Sequence, residues 1–213
     1  MLILHGYWLS LAAYRVRAAL KLKGVAFEER MHDLSAGHHN LPAFRALNPA
    51  GAVPALEGGT PEPLTQSLAI LEWLEETYPA TPLLPPDAAG RARVRSMFLL
   101  AAADTHPLAV PRVQKRLAAQ FGADAAAGRE WAAHWYREGL SAYEGLLHDG
   151  ATRCHNETLS LADLALASHL IGVERFGVDL SAFPRVAAVG TSLFKLPEIE
   201  SSHPRHQKGA VAV

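Results

Sequence analysis

The chain has 213 residues, 49% hydrophobic and 19% charged, which is enough to bury a sizeable core and far from the composition of disordered chains. With 20 basic against 21 acidic residues the formal charge is -1, so no global field draws it to nucleic acid or an anionic membrane, and any anion site must be local. No uninterrupted apolar run is long enough to span a bilayer. The first residues, broken by His5, Gly6, Ser10 and Arg15, do not read as a signal peptide.

The single cysteine, Cys154, excludes an internal disulfide framework and fits a reducing compartment, so a cytoplasmic location is expected. No thiolate-stabilising pair adjoins it, and it reads as an incidental thiol near a loop.

In chain order, Leu2 to His5 reads as a strand, followed by a helix from Ala12 to Lys23. There Ala13, Val16 and Leu20 recur at helical spacing, with Arg15, Arg17 and Lys21 elsewhere. Gly24 closes that helix and Val25 to Met31 is extended, giving a β-α-β unit. A short helix near Leu41 to Leu47 precedes a strand over Gly51 to Leu56 that is entered through Pro54. The turn Gly58-Gly59-Thr60-Pro61 leads to a brief strand, then to a helix from Gln66 on which Ser67, Leu71, Leu74 and Tyr78 recur.

Prolines 79, 82, 85 and 86 exclude regular structure and mark a domain boundary, with a first domain over 1–80 and a second over 87–213. The second domain is expected to be all-helical, with helices near 87–119, 124–148, 160–175 and 185–194. The tail from Ser201 has no apolar period and is expected to be loosely held.

Three places in the first domain carry chemical potential. Ser10, where the first strand meets the first helix, either caps the helix or points a hydroxyl at a ligand. A cis bond at Val53-Pro54 would leave the Val53 amide and carbonyl to pair with an extended peptide ligand. Gln66-Ser67 opens a helix whose amides and dipole make a small anion site, simple capping being the plain alternative. In the second domain Ser160-Leu161-Ala162-Asp163 is a capping box with a structural role. No metal site is expected: His38 and His39 are adjacent, with no HxxxH pair or carboxylate cluster beside them.

Together these features resemble a known family. A β-α-β-α-β-β-α domain joined through a proline-rich linker to a helical bundle is similar to the glutathione transferase layout, a thioredoxin-like α/β domain followed by an all-α domain. The run SLAAYRVRAALKLKG resembles the zeta-class pattern SSAAYRVRIALNLKG, and the likeness continues through ALNPAGAVPAL, TQSLAILEWLEETYP, LLPPDAAGRARVR and ERFGVDLSAFP, nearly the whole chain.

The resemblance implies a glutathione-dependent isomerase of maleyl-type diacids, working as a homodimer. It implies Ser10 as the catalytic residue, hydrogen-bonded to the cofactor thiolate at the start of the first helix, with Leu11 and Ala12 beside it. It assigns the γ-glutamyl carboxylate to Gln66 and Ser67 and the cysteinyl backbone to Val53 and Pro54. His39 and His106 become further cofactor contacts, and Arg175 and Arg112 substrate contacts.

The sequence also departs from that pattern. Leu9 stands where the zeta isomerases commonly have an arginine, Leu11 replaces a serine, Ala109-Val110 an asparagine pair and Ser168-His169 a Pro-Gln pair. These changes are expected to cluster around the substrate cleft. A diacid needs cations, so the departures leave open a general glutathione transferase or a dehalogenase-like enzyme acting on a less charged electrophile. A non-catalytic binding module of the same fold is a further alternative, against which the retention of Ser10, Val53-Pro54 and Gln66-Ser67 argues.

Overall fold

The computed structural model describes residues 1–211. They form two compact units, one of Met1–Leu83 with the segment from Pro197 onward, the other of Leu84–Leu196.

The first unit has the expected β-α-β-α-β-β-α order: β1 Leu2–Gly6, α1 Leu11–Leu22, β2 Phe27–Met31, α2 Pro42–Leu47, β3 Ala55–Glu57, β4 Leu64–Thr65 and α3 Ser67–Thr77. A 3-10 turn at His38–Asn40 precedes α2. The sheet order is β2-β1-β3-β4. β1 runs parallel to β2, with Gly6 opposite Met31, and antiparallel to β3, with His5 opposite Ala55. β3 is antiparallel to β4, with Ala55 opposite Thr65.

This register decides where the loops emerge. The ends of β1, β2 and β4 and the start of β3 all lie at one end of the sheet, so Ser10, the 3-10 turn, Val53-Pro54 and Gln66-Ser67 leave it together.

Helix α1 is more deeply buried than its sequence suggests. Ala13, Val16 and Leu20 are in the core as expected, but Tyr14, Arg15 and Arg17 are buried as well. Arg17 is neutralised by the Glu29 carboxylate of β2, with its Nε and Nη2 2.7 and 2.6 Å from the two oxygens. A buried arginine is sustainable only with such a bidentate partner.

The same arginine reaches the C-terminal segment, Nη1 donating to the Ser202 carbonyl at 3.0 Å, while the Tyr14 hydroxyl donates to Ile199 O. That segment contains α10 Pro197–Glu200 and a 3-10 turn at Pro204–His206. Ser202 is wholly buried and α10 packs on α1. The expectation of a loosely held tail is therefore overturned, and the segment joins the first unit. An apolar period was the wrong signal, because backbone carbonyls are what the buried donors of α1 bind.

The second unit is helical: α4 Ala88–Leu99, α5 His106–Ala109, α6 Pro111–Phe121, α7 Ala125–Leu146, α8 Leu161–Phe176 and α9 Pro184–Leu193. The single helix expected over 87–119 is broken twice. Leu100–Thr105 is a π-helical stretch, and Val110 is extended (φ -72°, ψ 155°) before Pro111. Proline disfavours helical geometry in the residue before it, which ends α5 there.

Helix α8 is buried from Leu161 to Val173 and packs on α4, α7 and α9. An all-round apolar helix belongs at the centre of a bundle. Its start is the expected capping box: Asp163 accepts from the Ser160 amide at 2.8 Å, the Ser160 hydroxyl at 2.9 Å and the Cys154 amide at 2.7 Å. Burial pushes the Asp163 carboxyl upward against the pull of these donors. Burial and the neighbouring Asp163 also push the Cys154 thiol up, so this cysteine is inert.

Candidate active site

The site is built at the sheet end where four connections emerge. Ser10 is the N-cap of α1 (φ -75°, ψ 114°), its amide donating to Tyr7 O at 2.9 Å and its Oγ accepting from the Ala13 amide at 3.2 Å. The cap uses the oxygen as acceptor, and the hydroxyl proton has no acceptor among the described residues. The cap reading is borne out, and it leaves the hydroxyl proton of Ser10 available for a ligand. Ala12, in the first turn, is half-buried, whereas Leu11 is only 7% exposed, so its side chain belongs to the core.

The Val53-Pro54 bond is cis. Among the described residues neither the amide nor the carbonyl of Val53 has a hydrogen-bond partner. Buried backbone groups are almost always paired, so this donor and acceptor at the start of β3 form an edge suited to an extended peptide. Sequence reasoning missed the residues that hold this loop. Asn48 is buried, its Nδ2 donating to Ala52 O at 2.6 Å and its Oδ1 accepting from the Ala50 amide at 3.0 Å. Arg45 donates to Pro49 O at 2.6 Å and to Asn40 Oδ1 at 3.0 Å. An Asn-Pro pair after a helix is a turn signal and could have drawn attention to Asn48.

Gln66 precedes α3 with a positive φ of 68°, a left-handed geometry unusual for a side chain larger than glycine. Such strain persists where the surroundings impose it, often at ligand sites. Gln66 is exposed, while Ser67 is buried with its Oγ accepting from Arg15 Nη1 at 3.3 Å. Arg15 is a second residue the sequence did not single out. It ties α1 to the first turn of α3 and adds a fixed cation beneath the α3 amides, which already carry the positive end of the helix dipole. The arrangement favours a carboxylate at Ser67. His39 lies in the 3-10 turn, half-buried, with its Nε2 3.2 Å from Asn40 Nδ2.

The remaining sequence-predicted residues belong to the second unit. His106, half-buried, begins α5 directly after the π-helical stretch, and Arg112 is exposed in the first turn of α6. Arg175 lies in the last turn of α8 with its guanidinium 5.4 Å from the centre of the Phe176 ring.

The departures at Ser168 and His169 do not line a cleft: both are buried in the helical core, where His169 Nε2 donates to Tyr136 O at 2.9 Å. A methyl group at Gly139 would lie within 2.5 Å of the His169 ring, so glycine on α7 is what makes room for histidine on α8.

Residues 9–77 match the family model described as Glutathione S-transferase, N-terminal domain. The maleylacetoacetate isomerase of Pseudomonas aeruginosa is 41% identical, covering 96% of each chain. The holo structure of a maleyl pyruvate isomerase, described as a bacterial glutathione transferase of the zeta class, is 39% identical over 98% of this chain and 100% of its own, with a TM-score of 0.94. The maleylacetoacetate isomerase from Methylobacterium extorquens AM1, solved with bound malonate and glutathione, is 44% identical over 99% of this chain and 100% of its own, with a TM-score of 0.95. Likeness of this extent over both units places the chain in the glutathione transferase superfamily, as a member of its zeta class together with the maleylacetoacetate and maleylpyruvate isomerases.

Proposed function

We propose that this protein is a glutathione-dependent cis-trans isomerase of a maleyl-type diacid. The observation that carries the reading is the conjunction, at one end of the sheet, of an N-cap hydroxyl with its proton unspent and a backbone donor-acceptor pair at Val53, neither having a partner among the described residues. The unpaired Val53 backbone fits the peptide of glutathione, and the first turn of α3 above Arg15 fits a terminal carboxylate. Relatives named for maleylacetoacetate and maleylpyruvate isomerisation support the reaction, and malonate bound in one of them supports a dicarboxylate substrate.

When bound, glutathione supplies a thiolate nucleophile that is recovered after the double bond has been isomerised. Gln66 and Ser67 hold the γ-glutamyl carboxylate, Val53 aligns the cysteinyl backbone, and His39 and His106 add further cofactor contacts. Ser10 donates a hydrogen bond from its hydroxyl to the sulfur, and the start of α1, with Leu11 and Ala12, adds positive potential. Both favour the charged form of the thiol. Arg175 and Arg112 meet the carboxylates of the diacid, a role that planar guanidinium groups suit. We further infer a cytoplasmic homodimer. No helix among the described residues is long and apolar enough to cross a membrane.

The test is to mix the purified protein with glutathione and maleylpyruvate or maleylacetoacetate and follow loss of the cis absorbance. Turnover with no fall in glutathione concentration is expected. Reaction with aryl halides alone would instead favour a general transferase, the reading to which apolar Leu9 beside Ser10 points. Failure to bind immobilised glutathione would leave only the non-catalytic module.

Asn48→Ala is expected to raise the KM for glutathione about fivefold, two hydrogen bonds that hold the Val53 loop being lost, with kcat little changed. An unchanged KM would remove Asn48 from the support of that loop.

A further inference from the structure

The sheet carries another set of titratable groups, none of which the proposed reaction uses. His5 on β1 is 3% exposed. Its Nε2 lies 2.6 Å from Glu57 Oε2 on β3, and its Nδ1 lies 2.8 Å from Nε2 of His32, the residue after β2. The order β2-β1-β3 makes this possible, since a residue on β1 has both neighbours within reach. The two imidazoles stack with centroids 5.1 Å apart, and the Phe44 ring of α2 meets His32 edge-on at 4.7 Å. His32 is half-buried and opens on a cavity of ≈ 180 Å³ lined also by His38, Leu41, Ala43, Phe44 and Leu47.

With both imidazoles neutral, the hydrogen bonds set the tautomers. An ionised carboxylate only accepts, so His5 Nε2 carries a hydrogen, and Nδ1 of the neutral ring is then an acceptor. His32 Nε2 must supply the hydrogen between the rings, which leaves a lone pair on His32 Nδ1. Among the described residues nothing donates to that nitrogen. A base oriented by a second imidazole, itself held by a carboxylate, on a residue that lines a largely apolar cavity is an arrangement for taking up a proton.

We propose that this cavity is a second binding site, for a small, flat, weakly acidic molecule with an apolar body such as a phenol, and that His32 Nδ1 accepts its proton. The O–H bond of the ligand breaks as an N–H bond forms at His32 Nδ1. The His32 Nε2–H bond breaks as an N–H bond forms at His5 Nδ1, so the positive charge comes to rest on His5, beside the Glu57 carboxylate. The ligand is held as its anion, and no other reactant is needed.

What favours a positive charge on the pair is the Glu57 carboxylate 2.6 Å from His5 Nε2; burial, then His5, His38 and Arg30, work against it at His32, holding that imidazole below its usual range. The groups facing the His5–His32 pair are Arg30 from β2, His38 from the 3-10 turn and Glu57 from β3. Among the described residues only Glu57 brings a carboxylate within hydrogen-bonding distance of it. Leu41, Ala43, Phe44 and Leu47 supply the apolar wall for a ring.

The test uses 4-nitrophenol, whose neutral and ionised forms absorb at different wavelengths, at a pH where most of the free compound is protonated. The intact protein is expected to give a saturable rise in the nitrophenolate band that saturating glutathione does not displace. Glu57→Gln, which removes the charge and keeps the shape, is expected to lower the ionised fraction of bound ligand about tenfold, and His32→Phe to abolish the band. His32→Gln serves as a second variant, with circular dichroism checking that each is folded. The proposal is overturned by any of four results: no saturable band, a bound ligand that stays neutral, a band undiminished in Glu57→Gln or either His32 variant, or displacement by glutathione.

Discussion

Ser10→Ala is expected to lower the isomerisation rate by about tenfold or more. A hydrogen bond to a charged sulfur contributes roughly 1.5 to 3 kcal/mol, or about 10- to 100-fold in rate if it is lost only from the reacting state. The same loss raises the pKa of the bound thiol, because the bond favours its charged form. The rise of kcat/KM with pH should therefore move upward by about 1 to 2 units.

The substitution also removes the α1 cap, in which Ser10 Oγ accepts from the Ala13 amide, a loss of about 1 kcal/mol in stability. Ser10→Asp separates the two effects. Aspartate caps a helix well but donates no proton and adds a negative charge beside the sulfur, so stability is kept while the rate falls further. Ser10→Thr retains both functions and should stay active. If the rate and the pH profile of Ser10→Ala match those of the parent protein, Ser10 has no part in the mechanism.

How far the sequence discloses this molecule follows from how local each signal is. β1, α1 and β2 are legible because their side-chain periods and the glycine stop lie within a few residues of one another. Ser10, Val53-Pro54 and Gln66-Ser67 are legible for the same reason, each being a junction whose turn or cap chemistry is written in adjacent residues. The supporting groups are not. Arg15 and Arg17 read as off the apolar face of α1, and only the tertiary fold brings Ser67, Glu29 and the Ser202 carbonyl to them.

The break in the long second-domain helix was within reach of the sequence, since Pro107 and Pro111 stand inside it. The π-helical stretch before it leaves no such mark. His169 shows the limit of reading substitutions by position alone: it departs from the zeta pattern, yet it fills core space beside Gly139.

Arg17→Met is expected to destabilise the protein by about 3 to 5 kcal/mol, the usual consequence of removing one partner of a buried ion pair. Methionine fills much of the volume, so the loss is chiefly electrostatic. The Glu29 carboxylate stays in a largely buried position without its bidentate partner, and the Ser202 carbonyl loses its donor. Urea denaturation should show a lower midpoint with a similar slope.

The double variant Arg17→Met with Glu29→Leu distinguishes an orphaned charge from a packing defect. Replacing both members of a buried pair by apolar residues is often neutral, so most of the loss should be recovered. The Ser202 carbonyl remains unpaired in both variants, at about 1 to 3 kcal/mol. Limited proteolysis should therefore cut near Ser201 and Ser202 sooner than in the parent, even where overall stability has returned. A double variant no more stable than Arg17→Met would show that packing around α1, not the charge pair, sets the effect. Unchanged proteolysis would show that Tyr14 and the buried side chain of Ile199 hold the C-terminal segment without Arg17.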